Sequence, residues 1–208
     1  MRFRPVSPDL LLTEVTETII TRAGEEWTRV GIAGAPPAGP GGFADRLADA
    51  LRLRGRPVVR VSSADFLRPA SLRFEHGRTD PDARHDDWLD LGGLVREVFD
   101  PLAPGGSGRV LPTLWNAATD RATRAEYVDL PPGGVLVLDG ELLLGRGLPF
   151  DCAVHLWLSP AALRRRTAAA DAWALPAFER YDSTVHPLAA AEFAVRVDDP
   201  AHPALLDE

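Results

Sequence analysis

The sequence predicts a three-layer α/β fold, with helices on both faces of a central parallel sheet of about five strands. Three observations predict it. Short apolar runs alternate with longer amphipathic stretches, the order produced by strands joined through crossover helices. The runs RVGIA, VLVLDG and AVHLWLS are apolar almost throughout, as parallel strands covered on both faces are. The turn after RVGIA, Asp65 after VVRVSS and Asp139 after VLVL all fall at strand carboxyl ends, the edge where such sheets bind ligands.

The elements follow in order. Residues 1–28 read as an N-terminal helical segment, because Ser7 is a good N-cap and Pro8 and Asp9 suit a first turn. Leu11, Leu12, Val15, Ile19 and Ile20 then recur at helical spacing. RVGIA is the first buried strand. After a Gly/Ala/Pro turn, a helix runs from about Gly42 to Arg54 with Phe43, Leu47, Ala50 and Leu51 on one side, and Gly55 stops it. PVVRVSSADF is a second strand ending in polar residues. Residues 66–130 hold two long polar, Pro/Gly-rich stretches around a helical segment, Leu91–Phe99. Connections of that length in a compact domain are usually substrate-binding or disordered. Strands follow at Val135–Gly140, Ala153–Ser159 and Phe193–Asp199, with helices at Pro160–Ala172 and Pro176–Ala191 between the last two.

Composition bounds the function. The 208 residues, 45% hydrophobic and 25% charged, suit one domain spanning 1–208. A net charge of −7 and a pI near 5.3 argue against a nucleic-acid partner, which needs a basic face. They leave room for a small anionic ligand held by local arginines. Every basic residue is an arginine, with no lysine anywhere in the chain. The single cysteine, Cys152, lies in the apolar run FDCAVHLWL and reads as a packed residue. No run reaches the roughly 18 apolar residues of a membrane span, and MRFRPVSPDLLL lacks the apolar region and cleavage site of a signal peptide. No membrane partner and a cytoplasmic location are expected.

The ordered series carries a resemblance. It comprises GIAGAPPAGPGG, SSADFLRP, HGRTDPDARHDDWLDLGGL, VLVLDGELLL and LSPAALRRR. Over roughly Val30 to Pro200 it resembles the uridine kinase and phosphoribulokinase group of P-loop kinases, especially short actinobacterial members. That family's loop reads GxxxxGK[ST]. Here Gly34 and Gly39 keep the glycine positions, Pro40 stands where the lysine would be and Gly41 where the Ser/Thr would be. The lysine would place a charge on the β/γ-phosphates and the hydroxyl would bind Mg²⁺. Pro36, Pro37 and Pro40 also lack amide donors. The start of the following helix still favours an anion.

The resemblance implies roles for other residues. ATP and Mg²⁺ would be the cofactors. Asp65 would be the base that accepts a substrate hydroxyl proton. Asp139 would be the metal carboxylate, assisted by Glu141. Gly34, Gly39, Gly41 and Gly42 would form the donor-phosphate turn, with Arg165 and Arg166 from a lid-like helical region, 160–190. In the family that lid carries RxxxRD, whose later arginine is Ala170 here. Arg180 is a further candidate. Phe66, Arg68, Arg78, His85 and Asp87 would contact a nucleoside or nucleotide from the substrate-side insertion. The family often has a Phe-Tyr pair where this chain has Arg84-His85. Donor-side motifs are altered while acceptor-side residues are mostly kept. Three functions stay open: a weak or altered ATP/Mg²⁺ phosphotransferase acting on a nucleoside-like hydroxyl, a catalytically inactive protein binding a nucleotide or metabolite, and a structural partner in a homodimer.

Overall fold

The computed structural model describes residues 2–22, 24 and 26–207, with Asp207 through its backbone only. β1 (Arg2–Pro5) leads into α1 (Pro8–Arg22), where Ser7 caps the helix by accepting the Leu10 amide on its Oγ at 3.2 Å. α1 buries Leu11, Val15 and Ile19. β2 (Thr28–Gly34) passes through a short 3₁₀ turn, Pro36–Ala38, into α2 (Pro40–Leu53). β3 (Val58–Ser62) ends in a second 3₁₀ turn, Ser63–Phe66. The insertion follows as α3 (Ala70–Arg73), α4 (Pro81–Asp86) and α5 (Leu91–Leu94), which continues as a π-helical turn over Val95–Phe99. Two small hairpin sheets complete it: β4 (Arg109–Val110) pairs with β7 (Val128–Asp129), and β5 (Trp115–Asn116) with β6 (Arg121–Ala122). The chain returns through β8 (Val135–Gly140), β9 (Cys152–Trp157), α6 (Pro160–Arg166), a 3₁₀ turn at Ala169–Ala174, α7 (Leu175–Val185), α8 (Pro187–Ala190), β10 (Phe193–Arg196) and β11 (Ala204–Asp207).

The main sheet has seven strands in the order β1-β11-β10-β9-β2-β8-β3. The five from β10 to β3 are mutually parallel and match the expected strands. β11 and β1 add an antiparallel margin at one edge. Residues 2–5 are therefore strand, a correction to the helical reading of 1–28. The helix starts only after Pro5, with Ser7 as its cap. α1 packs on α2, which covers β2, β3 and β8, while α8 packs against β9 and β10. Val30, Ile32, Leu136, Leu138, Leu47 and Leu51 are fully buried between these layers.

Several boundaries differ for local reasons. β9 stops at Trp157 because Ser159 is recruited as the cap of α6, accepting the Ala162 amide at 3.3 Å. The single helix expected over Pro176–Ala191 is broken at His186, which takes φ 51° ahead of Pro187; proline disfavours helical geometry in the residue before it. Cys152 is packed as expected, and burial pushes its thiol up to about 12. Among the described residues, no helix is long and apolar enough to cross a membrane.

Candidate functional site

The site is built at the carboxyl ends of β2, β3 and β8. Gly34 ends β2 where a Cβ would come within 2.8 Å of the Leu156 carbonyl oxygen, so only glycine lets the turn start there. The turn then closes on itself. Ala38 N donates to Ala35 O at 2.8 Å and Gly39 N to Pro36 O at 3.1 Å. Gly39 takes the left-handed conformation, φ 75°, and redirects the chain into α2. Pro36, Pro37 and Pro40 have no amide hydrogen. Phe43 N already bonds Gly39 O at 3.2 Å. The turn and first helical turn therefore present the amides of Gly41 and Gly42, where an unbroken phosphate cradle would present a longer run.

Opposite Gly41 stands Asp139, the penultimate residue of the buried strand β8 and itself 7% exposed. Its Oδ2 lies 3.3 Å from where a Gly41 Cβ would be. Asp139 is not free. Arg60 Nη1 donates to its Oδ1 at 2.7 Å, Arg60 Nη2 donates to Gly41 O at 3.2 Å, and Arg60 Nε to Asp45 Oδ1 at 3.0 Å. Strand alternation explains the placement: Val59 and Val61 are buried, which turns Arg60 the other way, beneath the first turn of α2. One guanidinium thus ties the strand end, the helix start and the Asp139 carboxylate together.

These residues border a cleft of about 380 Å³ lined by Gly34, Gly39, Gly41, Asp139 and Glu141, all anticipated, and by residues the sequence reading missed. The missed ones include Ser62, Ser63, Leu67, Arg84 and Trp88. Arg84 Nη2 donates to Glu141 Oε2 at 2.8 Å, and its guanidinium carbon lies 4.8 Å from the Trp88 ring centroid and 5.3 Å from that of Trp173. Arg84 lies on α4 while Trp88 follows that helix's end at Asp86, so no helical spacing in the sequence announces the contact.

Asp65 stands beside the cleft, outside its lining. It is half-buried on the 3₁₀ turn after β3, and its backbone carbonyl accepts the Leu114 amide at 3.0 Å. Burial raises its carboxyl above the usual range, the Asp139 charge adds to the rise and Arg60 opposes it. The two carboxylates therefore share one electrostatic neighbourhood, with Arg60 between the effects.

The other anticipated residues are engaged elsewhere. Phe66 is a core residue with no exposed surface, so the expected contact with a ligand is corrected to packing. Arg68 Nη1 reaches Asp87 O at 3.3 Å and Oδ1 at 3.5 Å, so that pair satisfies itself. Arg78 lies 4.9 Å over the Phe74 ring on the outside of the insertion. His85 Nδ1 bonds Asp86 Oδ1 at 2.6 Å. Gly42 is exposed behind the cleft-lining Gly41. Of the lid arginines, Arg166 Nη1 donates to Val197 O at 2.9 Å, Arg164 pairs with Glu179 and Arg165 is exposed. Arg180 bonds Asp82 and Asp86, holding α7 to α4.

The residues present do not fit Mg²⁺–ATP as the resemblance implies. The candidate metal carboxylate is engaged by a guanidinium, position 41 offers no hydroxyl and position 40 no ammonium, and the turn spends two amides on itself. Among the described residues, no group of three or more His, Cys, Asp or Glu side chains is placed to hold a metal.

Comparison with known proteins agrees on architecture. No family model and no curated protein sequence matches the chain. Solved structures do. A possible uridine kinase from Bacillus stearothermophilus superposes with a TM-score of 0.72 at 18% identity, covering 88% of this chain and 96% of that one. A candidate fructose transport system kinase from Silicibacter sp. TM1040 gives 0.63 at 22% identity, covering 86% and 94%. The YGR205w protein gives 0.59 at 11% identity, covering 95% and 96%. With its parallel core sheet and helices on both faces, the chain shares the α/β fold of these three structures.

Proposed function

We propose that this chain is a metabolite-binding protein on a P-loop kinase scaffold, and that its cleft takes a nucleoside or similar small polar metabolite independently of Mg²⁺–ATP. The observation that carries the reading is the Arg60 bridge to Asp139 and Gly41 O, which engages the acidic residue of β8 with the protein's own cation. The cleft beside it stays open, with apolar walls and a few convergent polar groups, the usual make-up of a small-molecule site. A cytoplasmic location accords with such a role.

A second reading, an altered phosphotransferase, is favoured by one feature: the raised carboxyl of Asp65 next to Asp139, as a general base needs. A thermal-shift panel of nucleosides and nucleotides, with Mg²⁺ and with EDTA, separates the two. A ligand at 100 times its Kd stabilises by about 2.7 kcal/mol, which is a shift of about 5–10 °C for a chain this long. The binding reading expects such a shift from a nucleoside or sugar, equal with and without Mg²⁺. A shift by ATP that appears only with Mg²⁺, together with phosphate transfer, would overturn it in favour of the second.

A further inference from the structure

We propose that Arg84 is the contact for an acidic group on the ligand, so that the cleft selects a metabolite bearing a carboxylate or phosphoryl group. The inference rests on the metabolite-binding reading and specifies its ligand class. Four observations carry it.

The first is position. Arg84 lines the main cleft and also a side recess of about 20 Å³ shared with Ser63, Trp88, Glu141 and Arg146. A recess that size admits about one water-sized atom, such as a single ligand oxygen, while the body of the ligand occupies the larger space. The second is unspent hydrogen-bonding capacity. A guanidinium carries five N–H donors. Arg84 places one group on Glu141, and its Nε is buried with no acceptor. Leaving such a donor unmet is costly, and an incoming oxygen removes the cost.

The third is charge. Around the recess, Arg84 and Arg146 face one carboxylate, Glu141. Arg146 bonds only main-chain carbonyls, Leu142 O at 2.6 Å and His85 O. The neighbouring carboxylates are committed: Asp86 to His85 and Arg180, and Asp139 to Arg60. Arg180 is shared by Asp82 and Asp86, so the local charges balance, and Arg146 is the recess guanidinium with no carboxylate hydrogen-bonded to it among the described residues. The fourth is rigidity. The guanidinium is packed against Trp88 and Trp173, and α4 is held to α7 by Arg180. A donor fork fixed in advance loses little freedom when it binds an oxyanion.

The test uses matched pairs by titration calorimetry: uridine against uridine 5′-monophosphate for the phosphoryl arm, glucose against glucuronate for the carboxylate arm. The acidic member of at least one pair is expected to bind about 10- to 100-fold more tightly, the worth of one charge-assisted contact. Arg84→Gln should abolish that difference, the acidic member losing about 10- to 100-fold more affinity than the neutral one. Glu141→Gln, which removes the competing carboxylate, should tighten the acidic member. This second variant decides the matter even if Arg84→Gln does not fold. Equal binding of neutral and acidic members, or an equal loss of both in Arg84→Gln, overturns the proposal and leaves the metabolite-binding reading standing. No binding by any of the four, with a blank nucleoside panel, removes both.

Discussion

Replacing Arg60 by methionine tests the central feature of the site. The methionine keeps the aliphatic stem and deletes the guanidinium. Arg60 and Asp139 side chains are 19% and 10% exposed, so the ion pair is largely shielded from water. Breaking a buried pair by removing one partner costs about 3–5 kcal/mol, and the residual exposure here places the loss near the lower end, about 3 kcal/mol. For a chain this long, that lowers Tm by about 6–12 °C. Urea unfolding measures the loss. The double variant Arg60→Met/Asp139→Asn should recover much of the loss, because no stranded charge remains. A single variant within about 0.5 kcal/mol of the parent, or a double variant that merely sums the two single losses, would refute the reasoning. The same single variant should acquire Mn²⁺ affinity, read by electron paramagnetic resonance, as Asp139 is released.

Two further outcomes follow from buried features. His155 lies in β9 with its Nδ1 unpartnered, and burial pushes its imidazole down to about 4. The unfolded chain takes up a proton near pH 6.5 and the folded chain does not, so stability held above that pH is lost as pH falls toward 4, by about 3 kcal/mol. Urea midpoints between pH 7.5 and 4 should show this slope, and His155→Leu should flatten it. Gly34→Ala forces a Cβ to within 2.8 Å of Leu156 O. A main-chain oxygen yields little, so a loss of about 1–3 kcal/mol is expected by denaturant titration, together with weaker ligand binding as the turn shifts.

Of the five parallel strands, β2, β8 and β9 were legible because strands covered on both faces read as near-continuous apolar runs, and β3 and β10 from their valine-rich runs. β1 and β11, RFRP and ALLD, are the four-residue strands of the antiparallel margin and carry no such run. Asp139, Glu141, Gly34, Gly39 and Gly41 were legible because each sits at a strand end or in the turn that follows. Arg60 was not. A mid-strand arginine between valines reads as a solvent-facing alternate, and its role depends on α2 starting directly above it. Phe66 was misread for the converse reason: the turn that holds Asp65 at the site margin drives the next side chain into the core. The arginines of α6 share a helix and so point apart, one to Glu179, one to Val197 O and one to solvent. Arg84 occupies a position where the resemblance led to an aromatic, and its contacts with Glu141 and Trp173 join residues far apart in the sequence.

The antiparallel margin of the sheet also bears on the site. The Val6 amide bonds Pro203 O at 3.0 Å, and β1 has β11 as its sheet neighbour. Pro8 and Leu11 of α1, with Val197, Pro200 and Pro203, enclose a gap of about 70 Å³ whose far wall is Ala38 and Gly39. Residues near both ends of the described chain thus wall the space behind the glycine turn. Fraying on either side would open that space to water, so amide exchange in β1, β11 and Ala38–Gly39 should rise and fall together as one opening unit, giving the marginal strands a hold over how well the rear of the loop is sheltered.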